Sequence, residues 1–230
     1  MEKVRVLVFL GAPGSGKGTQ SKILTEKNSS WKHISTGDLF RKEIASGSTL
    51  GNDLKSLLDK GQLVPDATTM KVFESQIDSL IKSQKVDLLL LDGCIRTKGQ
   101  AEYLSSMLKR REDLNRVPLV VELEVPEEVL VRRLTGRLIN PRTGKIYHSV
   151  DNPPAKAGVC DLDGGPLIQR DDDKESVIRQ RFQIFRDEKA PIEAVLATEA
   201  KWIRVNANQK PEMITEELLK QIKNVLESGA

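Results

Sequence analysis

The residues best equipped for chemistry lie in the run LGAPGSGKGTQ, residues 10–20. Gly11, Gly14 and Gly16 let a backbone turn tightly enough to point consecutive N–H groups inward. Lys17 adds one mobile positive charge, and a helix opening at this point adds its N-terminal dipole. Together these groups form a cradle for phosphate, with Lys17 reaching the β and γ oxygens. Glycines alone could serve only a strand-to-helix turn, but GKGT directly after an apolar strand argues for phosphate. In the general pattern a Ser or Thr that holds magnesium follows the lysine; Gly18 stands there, and Thr19 comes one place later.

Five further segments follow in order: HISTGDLFR (33–41), GQLVP (61–65), LDGCIRTKGQA (91–101), RRLTGR (132–137) and QRDDDKESVIRQR (169–181). With the loop in its GxPGxGKGT form, this series resembles the adenylate kinases over essentially the whole length. The resemblance implies reversible, magnesium-dependent phosphoryl transfer from ATP to AMP, giving two ADP. It assigns the ATP side to Gly14, Ser15, Gly16, Lys17, Gly18, Thr19, Arg133, Arg137, Ile146, Tyr147 and Gln209. The AMP side falls to Thr36, Arg41, Gln62, Leu63, Val64, Gly93, Arg96, Gln100, Arg170 and Arg181, with Gln100 on the adenine edge. Asp92 is expected to hold magnesium through water. The catalytic set implied is Lys17, Arg96, Arg133, Arg137, Arg170 and Arg181.

Phosphoryl transfer explains why so many arginines are needed. The reaction needs in-line positioning and charge stabilisation more than covalent help, and guanidinium forks grip phosphate oxygens at two points. No general base is required, because an AMP phosphate oxygen is already ionised. Arg110, Arg111, Arg132 and Arg179 are given no phosphate role by the resemblance and read as surface or helix-pairing charges.

Two departures and two rivals bear on this reading. Relatives carry Phe-Pro before the motif arginine, with a cis peptide implied, where this chain has Cys94-Ile95. Without proline the cis form costs about 2.5–4 kcal/mol, so a trans bond is expected, together with loss of an apolar wall on the AMP side. Restoring Phe-Pro is expected to lower the AMP KM. Some relatives hold zinc in the lid through four cysteines; here the matching positions are Asn140, Thr143, Cys160 and Asp163, a poor tetrahedral set. No structural zinc is expected, and these residues should hydrogen-bond to one another, with His148 in the same polar network. A GTP:AMP phosphotransferase shares the motifs and the text GGPLIQR (164–170). A non-catalytic nucleotide sensor is the rival from another class.

These side chains need a frame to hold them. Short apolar runs predict buried parallel strands at 4–10, 86–91 and 119–125, with a weaker one at 202–205. Three- and four-residue apolar spacing predicts helices over 70–81, 101–108, 127–134, 177–196 and 213–226. The alternation means a three-layer α/β domain. Two stretches interrupt it. Residues 35–64 read as two short helices broken by Gly47, Gly51 and Gly61. Residues 136–173 are rich in Gly, Pro, Asp and Asn, with a small β patch near 144–148. The expected class is thus α/β, a P-loop domain with a central parallel sheet of about five strands. The core spans 1–34, 65–135 and 174–230; a helical AMP-binding insertion spans 35–64 and a small, mostly β lid spans 136–173. Both insertions suit lids that keep water from the reaction.

Composition agrees without deciding. A chain of 230 residues, 38% hydrophobic and 30% charged, has no apolar run near eighteen residues, which argues against a membrane protein. A net charge of +3 with 4% aromatics lacks the basic stripe a nucleic-acid partner requires. Two cysteines suit a reducing compartment, and no cleavage site follows the first apolar run. A cytoplasmic monomer is expected, with mitochondrial compartments left open, whose partners are ATP and AMP.

Overall fold

A computed structural model describes residues 3–227; residues 1–2 and 228–230, the outermost parts of the expected core, lie outside the described residues. Strands β1 (Arg5–Leu10), β2 (Trp31–Ser35), β3 (Leu88–Asp92), β4 (Leu119–Glu124) and β7 (Lys201–Asn206) form a parallel sheet in the order β2-β3-β1-β4-β7. The four strands expected from apolar runs appear within two residues of their predicted ends. The fifth, β2, carried no such signal because it is an edge strand reading WKHIS, with one fully buried residue in five.

Period-two alternation splits the core into two layers. From β1 and β3, Val6, Val8, Leu10, Leu89 and Leu91 face one side. There they meet Met70, Phe73 and Ile77 of α4 (Asp66–Ser83), Ala101, Leu104, Met107 and Leu108 of α5 (Lys98–Arg110), and Ile192 and Leu196 of α7 (Glu175–Leu196). Leu7, Phe9, Leu88 and Leu90 face the other side. They pack on Leu24 of α1 (Lys17–Lys27) and on Ile214, Leu218 and Ile222 of α8 (Pro211–Glu227). Each fully buried Leu or Ile contributes about 1.5–3 kcal/mol, so the sheet is a stiff platform for whatever stands at its strand ends.

The first interruption folds as α2 (Thr36–Ala45) and α3 (Thr49–Asp59), with a small core of Phe40, Leu54 and Val64. Ser35 and Ser48 cap the two helices through Asp38 N and Gly51 N. Gly47 and Gly61 sit at helix ends with positive φ, as expected of breakers. Gly51 does not break a helix. It lies inside α3, where a Cβ would come 2.5 Å from Glu43 O, so its role is close approach of α3 to α2.

The second interruption follows α6 (Glu127–Thr135) and contains an antiparallel pair, β5 (Arg137–Ile139) with β6 (Ile146–His148). Ile139 also bridges Ile168, and a 3₁₀ turn at Asp171–Asp173 leads into α7.

Candidate functional site

The sheet register brings the carboxyl ends of β1, β2 and β3 level, pairing Phe9 with Asp92 and Ser35 with Asp92. The phosphate loop, the 35–41 segment and the 92–100 segment therefore open into one crevice, the usual ligand position in an open parallel sheet. A cleft of about 890 Å³ lies there. Its walls carry nine lysines and arginines against four aspartates, an excess that calls for an anionic occupant.

The loop between β1 and α1 has the expected form. Gly16 precedes the helix with φ of 101°, in the left-handed region that disfavours a side chain. Lys17 Nζ donates to Gly11 O at 2.8 Å and Ala12 O at 3.0 Å. Burial, then the neighbouring Arg96, Arg181 and Arg137, lower its pKa to about 8 despite the opposing pull of Asp92. Burial alone would raise the Asp92 carboxyl, but His33, 3.8 Å away, with Lys17 and Arg96, holds it below the usual carboxylate range.

On the side expected for AMP, Arg41 pairs with Asp38 at 2.6 Å and Gln62, Leu63 and Val64 line the wall. Arg96 is reached through the turn at Gly93: its Nε donates to Gly93 O at 3.3 Å, and burial lowers its pKa. Its backbone N–H donates to Gln100 Oε1 at 2.7 Å. Thr36 is placed otherwise than expected. It is fully buried behind the wall, and its hydroxyl donates to Gly93 O at 2.6 Å, so it shapes that turn and does not line the cleft.

Opposite, Arg133 reaches Ala207 O at 3.0 Å, while Arg137 makes a two-pronged contact to buried Asp173, at 2.8 and 2.5 Å. Arg181 donates to Asp172 Oδ2 at 2.8 Å. Burial and crowding by like charges lower Arg170 and Arg181 to about 10, which leaves both cationic at neutral pH. Arg170 Nε is buried with no partner among the described residues, a donor aimed at something the chain does not supply. Asp172 and Asp173 were not singled out from the sequence. The DDD run beside Arg170 was the available signal, and the structure makes these acids the partners of Arg181 and Arg137.

The Cys94–Ile95 bond is trans. Cys94, however, is wholly buried in the main core, where burial pushes its thiol pKa up, and Ile95 lines the cleft. The expected loss of an apolar wall is therefore corrected: Ile95 provides one. A Phe at 94 would enter a filled core, so restoring Phe-Pro is no longer a simple repair.

In the lid, Asn140 Nδ2 donates to Asp163 Oδ1 at 2.6 Å, and Thr143 Oγ1 and Tyr147 OH approach Cys160 Sγ at 3.9 and 3.6 Å. The four positions thus engage one another. His148 accepts from Asp151 N at 2.9 Å, and its other ring nitrogen lies 3.1 Å from Arg132 O, at the lid's root. Arg110, Arg111, Arg132 and Arg179 pair with acids on the surface. Gly14, Ser15, Gly18, Thr19, Ile146, Tyr147 and Gln209 all line the cleft.

Residues 9–200 match the family model described as adenylate kinase. An adenylate kinase of Chloroherpeton thalassium is 40% identical over 214 residues, covering 92% of this chain and 95% of the relative. One from Oceanobacillus iheyensis is 38% identical over 213 residues, covering 92% and 96%. One from Lodderomyces elongisporus is 38% identical over 216 residues, covering 93% and 83%.

Proposed function

This chain belongs to the adenylate kinase family, and from that membership we propose how its cleft carries out reversible phosphoryl transfer between ATP and AMP. The observation that carries the reading is Arg170 Nε, buried with no partner among the described residues, within a crowd of cations whose pKa values are lowered first by burial and then by one another. Such a cluster is unfavourable when empty and is relieved by phosphates.

Gly14 to Thr19 wrap the ATP phosphates, and Lys17 exchanges its carbonyl partners for the β and γ oxygens. Arg133, Ile146, Tyr147 and Gln209 flank the donor nucleotide. Arg41 and Arg96 grip the AMP phosphate, with Gln100 on the adenine edge and Gln62, Leu63, Val64 and Ile95 along the base. As residues 35–64 and 136–173 close, Arg137, Arg170 and Arg181 turn to the transferring group, Arg137 and Arg181 leaving their aspartates. The bond from γ-phosphorus to the ADP oxygen breaks as an AMP phosphate oxygen bonds in line, and no proton need move.

Asp92 fits a hydrated magnesium ion: it is an ionised hard oxygen donor at a strand end, and Gly18 leaves it room, a Cβ there standing 3.3 Å from Asp92 Oδ2. Magnesium bound with ATP would neutralise charge on the phosphate oxygens. The set Asn140, Thr143, Cys160 and Asp163 offers zinc one soft ligand, so the lid is proposed to hold no structural metal. One zinc per chain in protein purified without chelator would overturn that. Among the described residues no helix is long and apolar enough to cross a membrane. The proposed form is a cytoplasmic monomer.

A coupled assay of ADP formation, with and without AMP, tests the whole reading. Turnover should require both nucleotides, and initial rates with ATP should exceed those with GTP at equal concentration. AMP-independent or absent turnover in folded protein would reject it.

A further inference from the structure

We infer that Asp66 is a positioning residue that restricts the acceptor to purines bearing a 6-amino group, by fixing which way round the Gln100 amide faces. The inference rests on the proposed reading in which Gln100 meets the acceptor base.

Gln100 lines the cleft and is 2% exposed, while Asp66 stands behind it and does not line the cleft. Asp66 opens α4 and Gln100 lies in the first turn of α5, so the two helix starts meet here. Gln100 Nε2 donates to Asp66 Oδ1 at 2.8 Å, and Thr97 Oγ1 donates to Asp66 Oδ2 at 3.0 Å. Thr97 in turn caps α5 by accepting from Gln100 N at 3.1 Å. The approach is close enough that a Cβ on Gly99 would come 2.6 Å from Asp66 Oδ2.

An amide can face either way unless its partners discriminate. Here both do. A carboxylate only accepts, so it takes the NH₂ end. The backbone N–H of Arg96 only donates, at 2.7 Å, so it takes Oε1. The reversed amide would set donor against donor at Arg96 and acceptor against acceptor at Asp66. Two unmatched, part-buried pairs strongly disfavour that orientation.

One lone pair on Oε1 and one N–H on Nε2 are left for the cleft. This acceptor–donor pair matches an amino group beside a ring nitrogen, the pattern by which Gln reads adenine. A 6-oxo purine presents the inverse, a carbonyl beside a ring N–H, and would need the reversed amide. Asp66 therefore selects against hypoxanthine and guanine without touching the base. A site built on a fixed hydrogen-bond pattern can discriminate far more strongly than one relying on shape.

The test compares kcat/KM for AMP and IMP in the wild type, Asp66→Asn and Gln100→Leu, with the KM for ATP as internal control. In Asp66→Asn the introduced amide can itself turn, presenting its own NH₂ to Gln100 Oε1, so the reversed Gln100 amide loses only the Arg96 contact. The AMP-over-IMP ratio should then fall at least tenfold in Asp66→Asn, with the gain in IMP use as the sign that a general loss of packing would not produce. Gln100→Leu should lose AMP preference without gaining IMP. If Gln100→Leu loses the preference while Asp66→Asn keeps it, the orientation role is wrong and the base contact stands. If Gln100→Leu keeps the preference, Gln100 does not read the base and both fail.

Discussion

Lys17 illustrates how a residue is held ready by its surroundings. Its ammonium is buried among cations, tied to two loop carbonyls, and its pKa lies near 8. Lys17→Ala should lower kcat by about 10²- to 10³-fold with the thermal midpoint retained, since it removes charge needed most as the β–γ bridge breaks. An unchanged kcat in folded protein would take the loop out of the chemistry. The depressed pKa gives a second expectation. Polyphosphate raises the lysine pKa, so binding ATP near pH 8 should draw about half a proton onto the protein, and affinity should fall as pH rises further. Calorimetry in buffers of different ionisation enthalpy reads this uptake, and Lys17→Ala should abolish it.

The packing of α2 against α3 turns on Gly51. In an exposed helix Gly→Ala would stabilise by about 1 kcal/mol. At this position the new methyl would sit 2.5 Å from a backbone carbonyl, which cannot step aside as a flexible side chain could. Overpacking of this kind costs about 1–3 kcal/mol and should win. Gly51→Ala is expected to lower the melting midpoint and to raise the AMP KM, because Phe40 and Val64 share the small core and both line the cleft. A higher midpoint would show that α2 and α3 part without strain.

The molecule as a whole is a parallel sheet with two insertions, residues 35–64 and 136–173, whose Arg41, Arg137 and Arg170 stand beside the cleft together with Arg181 of α7. Arg137 and Arg181 rest on Asp173 and Asp172, while Arg170 Nε has no partner among the described residues. Closure should therefore be driven by substrate. A bisubstrate analogue spanning both nucleotides should slow hydrogen exchange in residues 35–64 and 136–173 by at least tenfold and leave β1 and β3 unaffected. Equal exchange with and without the analogue would remove the two-lid account.

The sequence by itself determined much of this protein. Unbroken apolar runs bounded by turn residues make strands buried on both faces, glycine spacing after such a strand makes a tight turn, and ordered arginine motifs identify the phosphate chemistry. Those signals are local, so they survive without knowing the fold. Strand β2 escaped because an edge strand needs no apolar run, and Gly51 was misjudged because close approach between helices is invisible along one chain. The same holds for Thr36 behind the Gly93 turn, for Cys94 in the core in place of the cleft wall, and for Asp172 and Asp173 as the partners of Arg181 and Arg137. The orientation of Gln100 by Asp66, thirty-four positions away, depends on two helix starts meeting. Such assignments are decided by which surfaces the packed layers press together, and only the tertiary structure carries that information.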